Sequence, residues 1–250
     1  VTLKSFFPYY GGKHRSATRY PPPQHATIVE PFAGSAGYAL RYADRRVRLY
    51  DKSEAIGAIW SYLIRATSGE ILRLPLLDVG QSVDTLPLPQ EARWLIGMWV
   101  NPGSAQPKKT QTAWLRGDGC TARFSQWGDG PRGRIAAQVD HIRHWTVETA
   151  SYEAAANEIA TWFVDPPYRN MGRHYPCGAD DIDFAALGAW CRERRGQVLV
   201  CEQAGASWLP FRAFGAFKSN QGHTERTRSA EALWLNDFPG AALWLPGGAA

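Results

Sequence analysis

The sequence predicts an α/β fold on a doubly wound, mostly parallel sheet, and three observations predict it. Short apolar segments alternate with helical spacing over residues 27–66. Two later apolar runs, 159–164 and 197–201, have the length of buried strands and are bounded by Pro or Gly. The chain has 250 residues, 44% of them hydrophobic, enough for one α/β core with an insertion or for two smaller units.

The elements follow in order. Residues 27–34, Thr-Ile-Val-Glu-Pro-Phe-Ala-Gly, read as a buried strand running into a turn, and 35–44 as a helix. Residues 46–51 alternate and end in Asp51, which predicts a second strand. Ile56, Ile59, Trp60, Leu63 and Ile64 have helical spacing within 53–66, with Ser53 as N-cap. The pattern loosens over 66–149, read as an insertion between the two parts of the sheet domain, 1–65 and 150–238. Within it, residues 102–134 interleave Lys108, Lys109, Arg116, Arg123, Arg132 and Arg134 with Trp114, Phe124 and Trp127, and 135–145 look helical. Residues 184–195 read as an amphipathic helix with a basic last turn, 230–236 as a final strand, and the Gly/Pro/Ala-rich 239–250 as a flexible tail.

Charge narrows the partner. The net charge is +5 and the sequence pI about 9.1. Residues 1–50 carry eight Lys/Arg against two acids, and 101–150 seven against four. Two basic zones on a near-neutral body fit a polyanion, and equally fit simple solubility. The eleven Trp suit a core and also suit a protein that handles bases. Cys120, Cys177, Cys191 and Cys201 form no C-x-x-C pair, which argues against a zinc ribbon and fits a reducing compartment. No leader-like or membrane-spanning segment is read, so a cytoplasmic protein with no membrane partner is expected.

The strongest chemical signal is Trp162-Phe163-Val164-Asp165-Pro166-Pro167-Tyr168. An exocyclic base amine is a poor nucleophile because its lone pair is delocalised into the ring. The Asp165 carboxylate and the Pro166 carbonyl can both accept from such an amine, and the two prolines stiffen the loop that aims them. Tyr168 can stack on a base turned out of its helix. Standing alone, this tetrapeptide reads equally as a rigid turn after a strand.

Three further segments change that balance. Glu30-Pro31-Phe32-Ala33-Gly34-Ser35-Ala36-Gly37 allows close backbone approach to a ligand, and is neither a P-loop nor a dinucleotide fingerprint. Asp51 ends the next strand, where an acid can bind ribose hydroxyls or serve a helix N-terminus. Tyr9-Tyr10-Gly11-Gly12-Lys13 can place an ammonium against a carboxylate, or can be a surface turn. Pro176-Cys177 lacks the context of a nucleophilic Pro-Cys and reads as a loop cysteine. The basic run at 169–175 follows Asp165–Tyr168 directly and could hold phosphate.

In this order, the motifs resemble those of the Dam-like, class-alpha adenine-N6 DNA methyltransferases. The resemblance covers about 1–65 and 150–238 and implies a Rossmann-like fold that binds S-adenosylmethionine (SAM), with an inserted target-recognition region at 66–149. It implies cofactor contacts at Tyr9, Lys13, Asp51 and Asp165, with Glu30, Phe32, Ala33 and Gly34 beside them, and a catalytic Asp165-Pro166-Pro167-Tyr168. DNA contacts are expected from Lys108, Lys109, Arg116, Arg169 and Arg173. No metal is expected. An intracellular, bacterial or phage-encoded enzyme is implied. Cytosine-N4 methylation uses nearly the same chemistry and stays open beside adenine-N6, as does a non-catalytic DNA-binding protein on the same scaffold.

Overall fold

Among the described residues, seven strands order as β3-β2-β1-β4-β5-β7-β6 in a single sheet. They are β1 (Thr27–Glu30), β2 (Arg46–Asp51), β3 (Thr146–Thr149), β4 (Ala160–Val164), β5 (Gly196–Gln203), β6 (Arg212–Lys218) and β7 (Arg228–Leu235). β3 through β5 pair in parallel, whereas β7 runs antiparallel to both β5 and β6. This computed structural model describes residues 1–78, 80–101, 103–110, 126–169, 178–218 and 228–237.

The sheet is covered on both faces, and period-two alternation decides which side chain joins which layer. Ile28, Phe163, Leu199 and Cys201 face one core, together with Leu49 of β2. Their neighbours Val29, Trp162, Val164, Val198 and Val200 face the other. The first core is closed by α1 (Glu54–Arg65), α2 (Ser68–Arg73), α3 (Gln90–Val100) and α4 (Asp129–Ala136). The second is closed by α5 (Phe184–Glu193), through Leu187 and Cys191.

Several expectations shift in detail. Ser53 stands at the N-cap of α1, but its side chain makes no cap bond; its N–H donates to Asp51 Oδ1 at 2.9 Å instead. The helix expected over 35–44 is a 3-10 turn, Ala39–Tyr42, because Gly34 and Ala36 adopt positive φ (45° and 50°) just before it. The helical stretch expected over 135–145 splits into the end of α4, a 3-10 turn at Val139–Ile142, and β3. β3 pairs with β2, so residues 146–149 belong to the sheet, and Ile71, Leu95 and Ile135 share its first core. Trp60 and Trp162 are fully buried, and Trp99, Trp127 and Trp145 nearly so; these indoles build core rather than a base-handling surface. Residues 239–250 lie outside the described residues.

Candidate active site

β1 and β4 are adjacent and parallel, yet the chain leaves them in opposite directions along the sheet. Loops that diverge from the carboxyl ends of such a pair open a crevice, where ligands bind in open α/β sheets. Here the crevice is a cleft of about 920 Å³, counted into the solvent at its mouth. Its walls come from residues 9–13, the 30–35 loop, 51–53, Asp165 and Pro167. Each candidate cofactor residue named from the sequence therefore lines one cleft: Tyr9, Lys13 and Asp51, the loop residues Glu30, Phe32, Ala33 and Gly34, and Asp165.

Glycines let two of these walls meet. A Cβ on Gly34 would lie 2.8 Å from the Tyr9 ring, and one on Gly12 would lie 2.8 Å from Ser35 Oγ. The loop is then pinned from behind: the Trp60 indole donates to the Gly34 carbonyl at 2.8 Å, and the Gly34 N–H donates to Asp51 Oδ2 at 2.9 Å. The two Asp51 oxygens each accept one backbone N–H, from Gly34 and Ser53, which leaves lone pairs toward the cleft. Burial pushes its carboxyl up to about 6 against those two bonds. Phe32 stacks on Tyr152, with centroids 5.5 Å apart and planes at 26°.

Glu30 has a second task. It is buried, and its Oε1 accepts from the Ala39 N–H at 2.6 Å, so it fastens the 3-10 turn that follows the glycine loop. Burial pushes its carboxyl up to about 8, and the bond to Ala39 only partly offsets this.

The centre of charge is Lys13. Its ammonium lies 3.2 Å from Asp165 Oδ1, 3.4 Å from Glu231 Oε1, and 4.6 Å from the centroid of the Tyr168 ring. Burial disfavours this cation, but Asp165, Tyr168 and Glu231 outweigh burial and hold it well above the ordinary lysine value. The ammonium reaches these groups rather than standing free for a ligand carboxylate. Asp165 is itself raised, to about 6, chiefly by burial. Lys13 opposes that rise, while Glu231 and Glu202 add to it. Both partners rise because a single ammonium serves two carboxylates in a dry place.

Two polar atoms at this centre lack hydrogen bonds among the described residues. Asp165 Oδ1 touches the ammonium without an aligned donor, and the buried Tyr168 hydroxyl has no partner. Tyr168 does not line the cleft, and one face of its ring carries Lys13. Pro166 is buried and does not line the cleft, whereas Pro167 does.

Sequence reasoning missed three supports. Glu231 on β7 accepts from the Tyr20 hydroxyl at 2.6 Å while contacting Lys13. Glu202 on β5 accepts from the Trp208 indole at 3.0 Å and from the backbone of Arg169, which secures the chain just beyond Tyr168. For both acids the available signal was a charge set inside an apolar strand; Tyr20 carried none.

The candidate DNA contacts lie elsewhere. Lys108 and Lys109 are exposed beside α3, line no part of the cleft, and Lys109 pairs with Asp84 at 2.7 Å. Arg169 is exposed at the end of the Asp165–Tyr168 loop. Arg116 and Arg173 lie outside the described residues, as do Trp114, Arg123, Phe124 and Cys177. Arg132 donates to the Leu74 carbonyl at 2.7 Å and pairs with Asp129, and the Trp127 indole donates to the Pro75 carbonyl at 2.8 Å, so these two tie their segment to the end of α2.

Among the described residues no helix is long and apolar enough to cross a membrane. No family model matches the chain, and no curated protein matches it. A solved structure of a conserved hypothetical protein from Streptococcus pyogenes is similar at 12% identity, covering 84% of this chain and 86% of that one, with a TM-score of 0.37. So loose a likeness carries no argument about function.

Proposed function

We propose that this chain is a DNA methyltransferase that moves the methyl group of SAM to the exocyclic N6 amine of an adenine turned out of its helix. The observation that carries the reading is convergence: four segments far apart in sequence, around Lys13, Gly34, Asp51 and Asp165, line one cleft at the switch point of the sheet.

The residues fit SAM. Asp51 offers acceptor capacity for ribose hydroxyls, the glycine loops let backbone approach closely, and Phe32 on Tyr152 offers an aromatic wall. Bound SAM would supply an electrophilic methyl group on a sulfonium. Asp165 would accept from the target amine, localise its lone pair, and take up the proton which the nitrogen must lose. Because Oδ1 is buried against Lys13 at 3.2 Å, the other oxygen of the partly exposed Asp165 carboxylate is the atom for this work. Lys13 would hold that carboxylate in place and favour its ionised form.

The test is to incubate the protein with SAM and unmethylated DNA, digest to nucleosides, and identify the product by mass. N6-methyladenine supports the reading. N4-methylcytosine moves the target to the other amine. No methylated base, with SAM shown to bind, sinks catalysis and leaves a DNA-binding scaffold.

A further inference from the structure

Beside the cleft, four chain segments bring five basic side chains together. The Leu3 N–H donates to the Leu40 carbonyl at 2.7 Å, which lays Lys4 along the turn that carries Arg41. The Lys4 N–H donates to Gln138 Oε1 at 2.6 Å, and Gln138 returns a bond to the Lys4 carbonyl at 3.4 Å. Gln138 lies just past α4, one turn beyond Arg134. A Cβ on Gly37 would lie 2.5 Å from the His14 N, so His14 and Arg15 press on the same loop that leads to Arg41. Gly37 and Lys13 both line the cleft, which places this cluster on its rim.

Three of the five cluster members lack a carboxylate partner among the described residues, where several basic groups elsewhere have one. Arg48, Arg65, Lys109, Arg132 and Arg143 each have a carboxylate partner. Among the described residues, Lys4, Arg41 and Arg134 have none. Of the two acids in residues 1–50, Glu30 is buried and hydrogen-bonded within the fold, and Asp44 pairs with the Val1 amino group at 3.2 Å. The Arg134 guanidinium rests 5.1 Å over the Trp99 ring, and its buried Nε has no hydrogen-bond partner. His14 Nδ1 is likewise buried and unpartnered. Burial and then Lys4, Arg41, Arg15 and Arg134 hold the His14 imidazole below its ordinary value. Like charges gathered in one place repel one another, and a polyanion would relieve that repulsion.

We infer that Lys4, His14, Arg15, Arg41 and Arg134 form a docking surface for the phosphate backbone of duplex DNA on the rim of the cleft. Lys4 and Arg15 are exposed and His14, Arg41 and Arg134 partly so, a spread that suits a string of phosphates rather than an enclosed small anion. The inference rests on the proposed function, which requires DNA to reach Asp165. It moves the principal backbone contact away from Lys108 and Lys109.

The test is fluorescence anisotropy with a labelled DNA duplex over a range of KCl concentrations. Each phosphate neutralised adds about 0.9 to the slope of log K against log salt. The triple variant Lys4→Gln/Arg41→Gln/Arg134→Gln is expected to flatten that slope by about 2.7 if each group meets one phosphate. A control, Arg65→Gln/Arg73→Gln/Arg195→Gln, removes the same charge from exposed sites and is expected to change it by less than about one. Calorimetric SAM binding at the wild-type level shows that the cluster variant is folded. In the wild-type protein, adding DNA is expected to raise the His14 imidazole pKa, read by NMR. Wild-type binding with an unchanged slope in the cluster variant overturns the inference, as does an unmoved His14. Tight DNA binding through the cluster without methylation leaves the surface standing and removes the catalytic reading. Methylation that is indifferent to the cluster does the reverse. A wild type that prefers single-stranded RNA to duplex DNA, or binds neither, refutes the surface as stated.

Discussion

Replacing Glu30 by Gln isolates the cost of burying an acid beneath the glycine loop. A carboxyl whose folded pKa exceeds its unfolded value favours the fold while protonated, and that advantage drains as pH rises from the lower value to the higher. For Glu30 the window runs from 4.5 to about 8. At ~1.4 kcal/mol per pH unit, the wild type loses at most about 3–4 kcal/mol between pH 5 and pH 8 through this group. Glutamine keeps the carbonyl oxygen that accepts from Ala39 at 2.6 Å, and it has no proton to lose. Urea unfolding of both proteins at pH 5 and pH 8 gives the quantity needed, the difference between their pH dependences, from which packing changes cancel. At pH 5 the variant is expected within about 1 kcal/mol of wild type, and at pH 8 it is expected to be the more stable by about 2–3 kcal/mol. Parallel pH dependences would refute the reasoning and mean that Glu30 is ionised in the fold at neutral pH.

Other outcomes follow from the same geometry. Transfer that needs ionised Asp165, with its carboxyl near 6, should fall about tenfold per pH unit below that point, and Glu231→Gln should move this acid limb to lower pH; a flat kcat profile from pH 5 to 8 would contradict both. Gly34→Ala meets a positive φ of 45° and the Tyr9 ring at 2.8 Å, so a loss of about 1–3 kcal/mol in urea unfolding and weaker calorimetric SAM binding are expected. Trp60→Phe leaves the buried Gly34 carbonyl unpaired and should cost about 1–3 kcal/mol of stability, with hydrogen exchange at Gly34 accelerated.

Much of the sheet was legible because buried parallel strands are written as short apolar runs. β1, β2 and β4 follow from the runs read at 27–34, 46–51 and 159–164, of which the first and last overran the strands, and the helical spacing from Ile56 to Ile64 marks α1. β3 was hidden because Thr-Val-Glu-Thr is a partly exposed edge strand with one apolar residue, and it takes its strand form from pairing with β2. The turn at 39–42 resembled a helix, since its composition is helical and only the backbone of Gly34 and Ala36 forbids one. The cleft-lining residues were legible as motifs because glycines that permit close approach and an acid at a strand end stand out in a sequence. Lys13 was legible as a cation, but its carboxylate partners were not, for Glu231 lies 218 residues away in sequence on an antiparallel strand. The basic rim was legible only as two separate basic zones, 1–50 and 101–150; that Lys4, Arg41 and Arg134 meet is set by the fold.

The central claim is that Asp165 accepts from a target amine in a SAM-filled cleft. It is tested most directly with SAM bearing a deuterated methyl group, unmethylated DNA, and wild-type protein beside Asp165→Ala, each shown by calorimetry to bind SAM. The account predicts trideuterated N6-methyladenine from the wild type and a loss of at least about a hundredfold in the variant. An Asp165→Ala protein that methylates DNA as fast as wild type would contradict it.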